Sequence, residues 1–583
     1  MPEPILAEKN TWWQPTNSSI TRASITEIEI MNSYTPTGTV TDSWDASAAK
    51  DGSVTCYVIG TKLIIAGNGS GKVYANENSS NAFGSSSSSA SFKNVTQFNN
   101  LHLLDTSFCK NMQALFRNMS SVSELNVSNW NVSSVENANM AFHTCLSLAT
   151  LDVSRWETNN MTTMTNIFSR CKCLEVIDVK NWNTSNVQGA MTGIFLECAA
   201  LKRLDLSQWD FSGFTMIYDM FFGCESLEEL NISGMNTSNM TSIKQAFTNC
   251  KSLQYIDTSN WNTSKMTGMK MAFQGCNSLK NLDVSNWDTS SCGDMECMFQ
   301  ECFSLQNLDV SNWDTSSCTN MSFMFYGCSS LKEIDVSNWD TSKLTNLDHF
   351  AAHANLKRKG MENWNTSSLV NANAAFHNCA EEELDLSGWD VSKVQFFCQM
   401  FEDSPNLKRI KGLENWDTSA GLGFDGMFER CSKLEEVDLS SFDTTKAKNN
   451  VSASSNGHKT LTLNNMFLSC NNLKKVKLGE KFAVNGNGSN TTAANKLVLP
   501  TPSSTYIPGA DGSWRTKDYA VYAPNAIPDK TEATYYASIN LVDAIPVIVP
   551  NGELKEIADA IRTKNSTENK YKVSEFKDAI LDL

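Results

Sequence analysis

Apolar and polar positions take turns along this chain in two alternating registers. The segment Leu331-Lys332-Glu333-Ile334-Asp335-Val336 carries apolar residues at its first, fourth and sixth places. In an extended strand Ile334 and Val336 face one side, while Glu333 and Asp335 face the other. The unit before it has a different spacing. Met321, Met324, Phe325 and Cys328 stand at i, i+3, i+4 and i+7, which predicts a short amphipathic helix. Asp314-Thr315-Ser316 just upstream offers side-chain oxygens to cap it. Gly327 closes the stretch, as Gly223 and Gly275 do in other units, and a left-handed helix end is expected there. Each unit is thus expected to hold a short strand, a Trp-bearing turn, a short helix and a Cys-bearing return.

These units recur. Trp130, Trp156, Trp182, Trp209, Trp261, Trp287, Trp313, Trp339, Trp364, Trp389 and Trp416 are separated by 26, 26, 27, 52, 26, 26, 26, 25, 25 and 27 residues. Met235 fills the double gap and Phe442 continues the series. A Phe column runs in the same phase from Phe116 through Phe325, Phe350, Phe376, Phe401 and Phe428, and resumes at Phe467. A Cys column includes Cys145, Cys171, Cys302, Cys328, Cys431 and Cys470. One such unit cannot bury its own apolar face, so neighbouring units must stack and share a core. The expected fold class is α/β: a solenoid with a parallel β-sheet spine and short helices.

The flanks differ from the array. Residues 1–97 read as an N-terminal β module, with strands from Val54 to Ile59 and Lys62 to Ala66 joined at Gly60-Thr61 in a tight hairpin. Gly84 to Ser91 is Ser-rich and reads as a flexible loop. The array is assigned to residues 98–478, interrupted at 446–462 by a polar insertion read as a loop. Residues 479–545 are expected to cap it, since an open end would expose core and strand edge. In the tail, 546–583, Leu554, Ile557, Ala558 and Ile561 form one helical stripe, and Val573, Phe576 and Ile580 a second.

The string LDVSNWDTSSCTNMSFMFYGCSSLKEIDVSNWDTS closely resembles the 26-residue repeat of bacterial surface proteins, the BspA-like leucine-rich-repeat family. The resemblance covers about residues 100–478. It implies a leucine-rich-repeat-like fold with a β-rich N-terminal module and a capped C-terminus. It also implies a role in adhesion or recognition at a surface. The tail GELKEIADAIRTKNSTENKYKVSEFKDAILDL is similar to C-terminal segments of phage and prophage tail-associated proteins. A phage tail-associated receptor-binding or host-adhesion protein is therefore expected, in the virion or at a cell surface. Its partner would be a host or bacterial surface protein or glycan, and the C-terminal helices would either join it to the tail or fold back on the cap. The first alternative is a bacterial cell-surface leucine-rich-repeat adhesin, and the second a carbohydrate-active enzyme.

Composition narrows the partners. The formal charge is −16, which argues against nucleic acid and against an anionic membrane surface. No apolar run long enough for a transmembrane helix occurs, and the first twenty residues lack the basic and apolar regions of a secretory signal.

Several segments resemble chemical motifs. Gly67 to Lys72 looks like a phosphate loop, but Ala66 and Val73 stand where the first Gly and the Mg²⁺-binding hydroxyl are needed. Eighteen Cys occur without any C-x-x-C pair, so a zinc site is not expected; buried free thiols are. Cys292 and Cys318, 26 apart, are expected to stack as reduced thiols. His349 and His353 are four apart, but they are assigned to the Met and Cys columns and no Glu follows His349. No metal and no cofactor are expected. The Asp column, including Asp152, Asp178, Asp257, Asp283 and Asp335, lacks a Ca²⁺-loop spacing and is expected to bond neighbouring Ser and Asn. It does not form the facing carboxylate pair of a glycosidase. With no nucleophile triad either, a catalytic site is not expected.

The expected binding face is the strand side opposite the core. Two residues before each Asp, an outward position changes from coil to coil. Arg203, Glu229, Tyr255, Asn281, Asn307 and Glu333 are its central members, flanked by Thr150, Val176, Glu383 and Arg409. Variation suits a surface shaped to one partner, and Tyr255 is the expected anchor because aromatics add contact area at low entropy cost.

Overall fold

The structure is a computed structural model that describes residues 3–452, 459–486, 496–538 and 540. The stripes at Leu554 to Ile561 and Val573 to Ile580 lie outside the described residues.

The repeats stack as coils joined by two rows of parallel backbone pairing. The first row runs through the outward positions, as in Glu124 with Thr150, Thr150 with Val176 and Tyr255 with Asn281. The second row lies on the turn side, as in Ser242 with Gly268, Gly268 with Asp294 and Asp294 with Asn320. Pairing is short throughout. In the first row it widens to two-stranded pieces, Arg203–Asp205 with Glu229–Asn231 and Glu383–Asp385 with Arg409–Lys411. Among the described residues no bridge joins Glu229 to Tyr255 or Asn307 to Glu333. The expected continuous sheet is thus a series of short sheets, and no closed solenoid forms.

The predicted helices are absent. From residue 3 to residue 538 no described residue is α-helical. The Met, Phe and Cys positions do face inward at the predicted spacing, but on a run of consecutive turns. The N–H groups of Met295, Cys297, Phe299 and Glu301 donate to carbonyls of the next coil at 3.0, 2.9, 2.9 and 2.7 Å. Those of Met298, Gln300 and Cys302 turn back to Met295, Cys297 and Phe299. An α-helix would aim its N–H groups along its own axis and leave none for a neighbour alongside. Two residues per run adopt positive φ, such as Cys297 (57°) and Glu301 (60°), or Phe323 (56°) and Gly327 (73°). Left-handed backbone costs non-glycine residues roughly 1–2 kcal/mol each, which the bonds between coils offset. Asp314-Thr315-Ser316 accordingly caps no helix. Asp314 Oδ1 accepts the Ser316 N–H, and Thr315 Oγ1 donates to the Asp340 carbonyl in the next coil. The array belongs to the β and turn classes rather than α/β.

The core is built from ladders. Trp287 is 3% exposed and its ring stacks on Trp261 at 5.6 Å and on Trp313 at 6.3 Å. The Phe rings stack likewise, from Phe83 on Phe116 to Phe428 on Phe467. Column cysteines send their thiols to a Phe carbonyl of the coil before, as Cys302 does to Phe273 and Cys328 to Phe299. All eighteen cysteines are free, and seventeen are buried. Cys292 and Cys318 donate to the carbonyls of Asp294 and Asn320. Burial pushes the Cys145 and Cys328 thiols up to about 12.

One coil departs from its expected register. Phe325 N donates to Phe350 O, where Phe299 N donates to Met324 O. Phe350 therefore stands in the Met column and Ala351 in the Phe column. The same shift moves His349 to the Phe323 column and His353 to the Gly327 column, out of the Met and Cys columns assigned above. Phe350 meets Phe325 edge-on, at 85°, instead of stacking. The space at Ala351 receives a guanidinium: Arg358, 4% exposed, donates to the carbonyls of Ala351 and Leu356 at 3.3 and 3.0 Å. Gly360 then turns with φ 93°, where an added Cβ would lie 2.3 Å from Ser337.

A five-stranded sheet flanks the array at each end. Strands Glu27–Met31, Asp42–Asp45, Thr55–Ile59, Lys62–Ala66 and Gln97–Asn99 form one sheet, with the expected hairpin at Gly60. Trp12 packs on Phe83, and Arg22 covers Phe92 at 4.9 Å. Within the Ser-rich stretch, Ser88–Ala90 is a 3-10 turn rather than an unstructured loop. At the other end Glu436–Leu439 and Lys475–Leu478 pair in parallel, and Ala533–Tyr536 then pairs antiparallel with the latter. The insertion at 446–462 contains an antiparallel strand pair, Asn449–Ser452 with Lys459–Leu461.

Candidate binding face

The outward positions are set by the two-residue period of the strand. At Arg203-Leu204-Asp205 the middle residue is buried and Arg203 is exposed; Glu229-Leu230-Asn231 repeats the arrangement. The same holds at Tyr255, Asn281, Asn307 and Glu333, all exposed beside a buried aliphatic residue.

The structure brings only some of these together. Arg203, Glu229 and Tyr255 share an open depression of about 620 Å³ with Val176, Asp178 and Lys180. Tyr255 is 62% exposed and Val176 66%, so two apolar side chains flank a charged floor. Arg203 Nη2 lies 3.4 Å from Glu229 Oε1, and Lys180 Nζ lies 2.9 Å from Asp205 Oδ2. Ion pairs this exposed contribute about 0–1 kcal/mol, so they can exchange for a ligand's charges at little cost. Asn281 and Asn307 continue the ladder beyond Tyr255. Glu333 does not join them. It lines a second depression with Lys357, Lys359, Glu381 and Glu383, across the break after Asn307.

Lys357 and Lys359 escape the sequence pattern because Arg358 holds the place of an apolar residue, opposite Ile334. The usable signal was the alternation Lys357-Arg358-Lys359 before Gly360.

The Asp column does local structural work. Asp152, Asp257 and Asp283 each accept the N–H and hydroxyl of the Ser two residues on. Ser154 and Ser259 hold Asp152 and Asp257 below the usual carboxylate range. Lys359 and Ser337 lower Asp335 further, to about 2. Asp178 accepts the Lys180 N–H.

His349 and His353 do not pair on a helix face. His349 stacks on Phe323 at 4.8 Å and bonds Asp348, while His353 turns to His377 at 4.3 Å.

Among the described residues no helix is long and apolar enough to cross a membrane. No curated protein matches the chain. Solved structures similar to it include a leucine-rich-repeat protein of Leptospira interrogans, 12% identical over 63% of this chain and 78% of that one, with TM-score 0.18. A leucine-rich cell surface protein of Faecalibacterium prausnitzii is 15% identical over 59% and 94%, with TM-score 0.23. A leucine-rich-repeat protein of Eubacterium ventriosum is 10% identical over 74% and 95%, with TM-score 0.24. One family profile matches repeatedly, at residues 86–203, 163–280, 189–307, 241–359, 267–387, 327–413 and 348–476. Since these matches together span more than half of the sequence, the chain belongs to the family described as Mycoplasma protein of unknown function, DUF285.

Proposed function

We propose that this protein is a non-enzymatic recognition or adhesion protein that engages its partner through the face centred on Arg203, Glu229 and Tyr255. One observation carries the reading: Tyr255 and Val176 stand largely exposed on either side of the Arg203–Glu229 pair. Aromatic and aliphatic surface beside exchangeable charges suits a protein or glycan ligand. The resemblance of the repeat to surface-protein repeats supports attachment to a host or bacterial surface. The similarity of the C-terminal tail to phage tail segments supports a tail-associated receptor-binding protein, located in the virion. A cell-surface adhesin would use the same face, and gene context separates the two.

The test is binding of labelled protein to a panel of bacterial cells and surface glycans. Replacing Arg203 and Tyr255 together by Ala should weaken binding at least tenfold while leaving the melting temperature unchanged. Unchanged binding by a folded variant would remove this face and direct attention to the terminal modules.

A further inference from the structure

Two neighbouring columns of the turn run hold ionisable residues at intervals, such as His143, Glu197 and Glu301, and gather them most closely in the coils after that of Phe325. Earlier coils place residues such as Gln274 with Gly275, or Tyr326 with Gly327, at these positions. The next three coils bring His353, His377, Glu402 and Asp403 there.

The geometry is close. The rings of His353 and His377 lie 4.3 Å apart, and His377 Nε2 is 3.6 Å from Asp403 Oδ2. Ligand atoms of His377, Glu402 and Asp403 all lie within 4.8 Å of one another. Among the described residues no other group of three His, Cys, Asp or Glu side chains meets that spacing. His377 and Glu402 are each 4% exposed, yet His377 Nδ1 and Glu402 Oε2 have no hydrogen-bond partner. A buried polar atom left unpaired is destabilising. Arg430, more exposed at 46% of its side chain, pairs with Glu402, Asp403 and Glu429. Its guanidinium neutralises the carboxylates, but its hydrogen bonds go to Asp403, Glu429 and Glu402 and none reaches His377.

We propose that His377, Glu402 and Asp403 bind a divalent transition-metal ion such as Zn²⁺, with His353 near enough to join and Arg430 as the cation that the metal displaces. One imidazole with two carboxylates is a set that Zn²⁺ accepts. Through His377, Glu402 and Asp403 the ion would staple two successive coils, and a third where His353 joins.

Chelator-treated full-length protein is titrated with Zn²⁺ by calorimetry and with Co²⁺ by absorbance. One equivalent should bind, with Co²⁺ spectra of nitrogen and oxygen ligation and no thiolate charge-transfer band. His377→Gln and Glu402→Gln should each weaken binding at least tenfold, and Arg430→Gln should tighten it. Asp403→Asn replaces a side chain 36% exposed and keeps the test valid if a buried variant misfolds; it too should weaken binding. No bound equivalent, a thiolate band, or unchanged affinity in Asp403→Asn overturns the site.

Discussion

Each Trp of the array fills space between coils, and most also tie two coils with a hydrogen bond. Trp313 Nε1 donates to the Val284 carbonyl at 3.1 Å, and Trp339 to Val310 at 3.0 Å. Trp261 and Trp287 are equally buried, but their Nε1 groups have no partner. Trp287→Ala should cost about 3–5 kcal/mol through the cavity it leaves. Trp287→Phe should be milder than Trp313→Phe by at least about 1 kcal/mol, because it removes an unpaired donor instead of a bond. Urea unfolding of the two variants measures the difference. His143 makes a second residue-scale prediction. Burial, with Arg117 and Arg170 nearby, lowers it to about 4, against about 6.5 in an unfolded chain. Above pH 6.5 it is neutral in either state. As pH falls from 6.5 toward 4, only the unfolded state takes up the proton, so stability falls; below 4 the penalty levels off. In His143→Gln, melting temperatures should decline less across that window than in the unsubstituted protein.

At the scale of the element, the turn run explains why helix periodicity misleads here. Inward residues at i, i+3, i+4 and i+7 suit a helix and a chain of turns alike. What separates them is where alternate N–H groups go, and that depends on a neighbouring coil. The described residues should therefore add none of the paired minima of an α-helix to the far-UV circular dichroism of the intact protein; strong minima at 208 and 222 nm would contradict the turn run. A buried Thr column shows the same dependence. Thr289 is fully buried and donates to the Asp314 carbonyl at 2.8 Å. In sequence it looks like one more polar turn residue. Thr289→Val keeps the shape but leaves that carbonyl without its donor, and should cost about 1–3 kcal/mol. Thr289→Ser should restore most of the loss, and comparative thermal melts decide it.

Over the whole molecule, stacking turns one period into a shared core and leaves two ends to cover. Arg22 with Trp12 and Phe92 covers the first, and Ala533–Tyr536, running antiparallel to Lys475–Leu478, ends the last parallel pair. The thiols report on this enclosure. Cys173 is exposed while the other seventeen are buried, so native protein should label rapidly at one thiol and denatured protein at eighteen; mass spectrometry counts both. Fast native labelling at several column positions would mean that the coils do not pack as described. By itself the sequence determined the period, the inward columns and the outward variable column, because each coil repeats one local environment and selects the same residue types. The alternation of strand faces likewise made Arg203, Glu229 and Tyr255 legible as surface. Tertiary structure alone decided the turn run in place of helices, and the breaks after Glu229 and Asn307. It also decided the register at Phe350 and the grouping of Val176 with Tyr255 while Glu333 stands apart. These depend on hydrogen bonds and packing between coils, and on compensations such as Arg358 filling the space beside Ala351, which no single repeat contains.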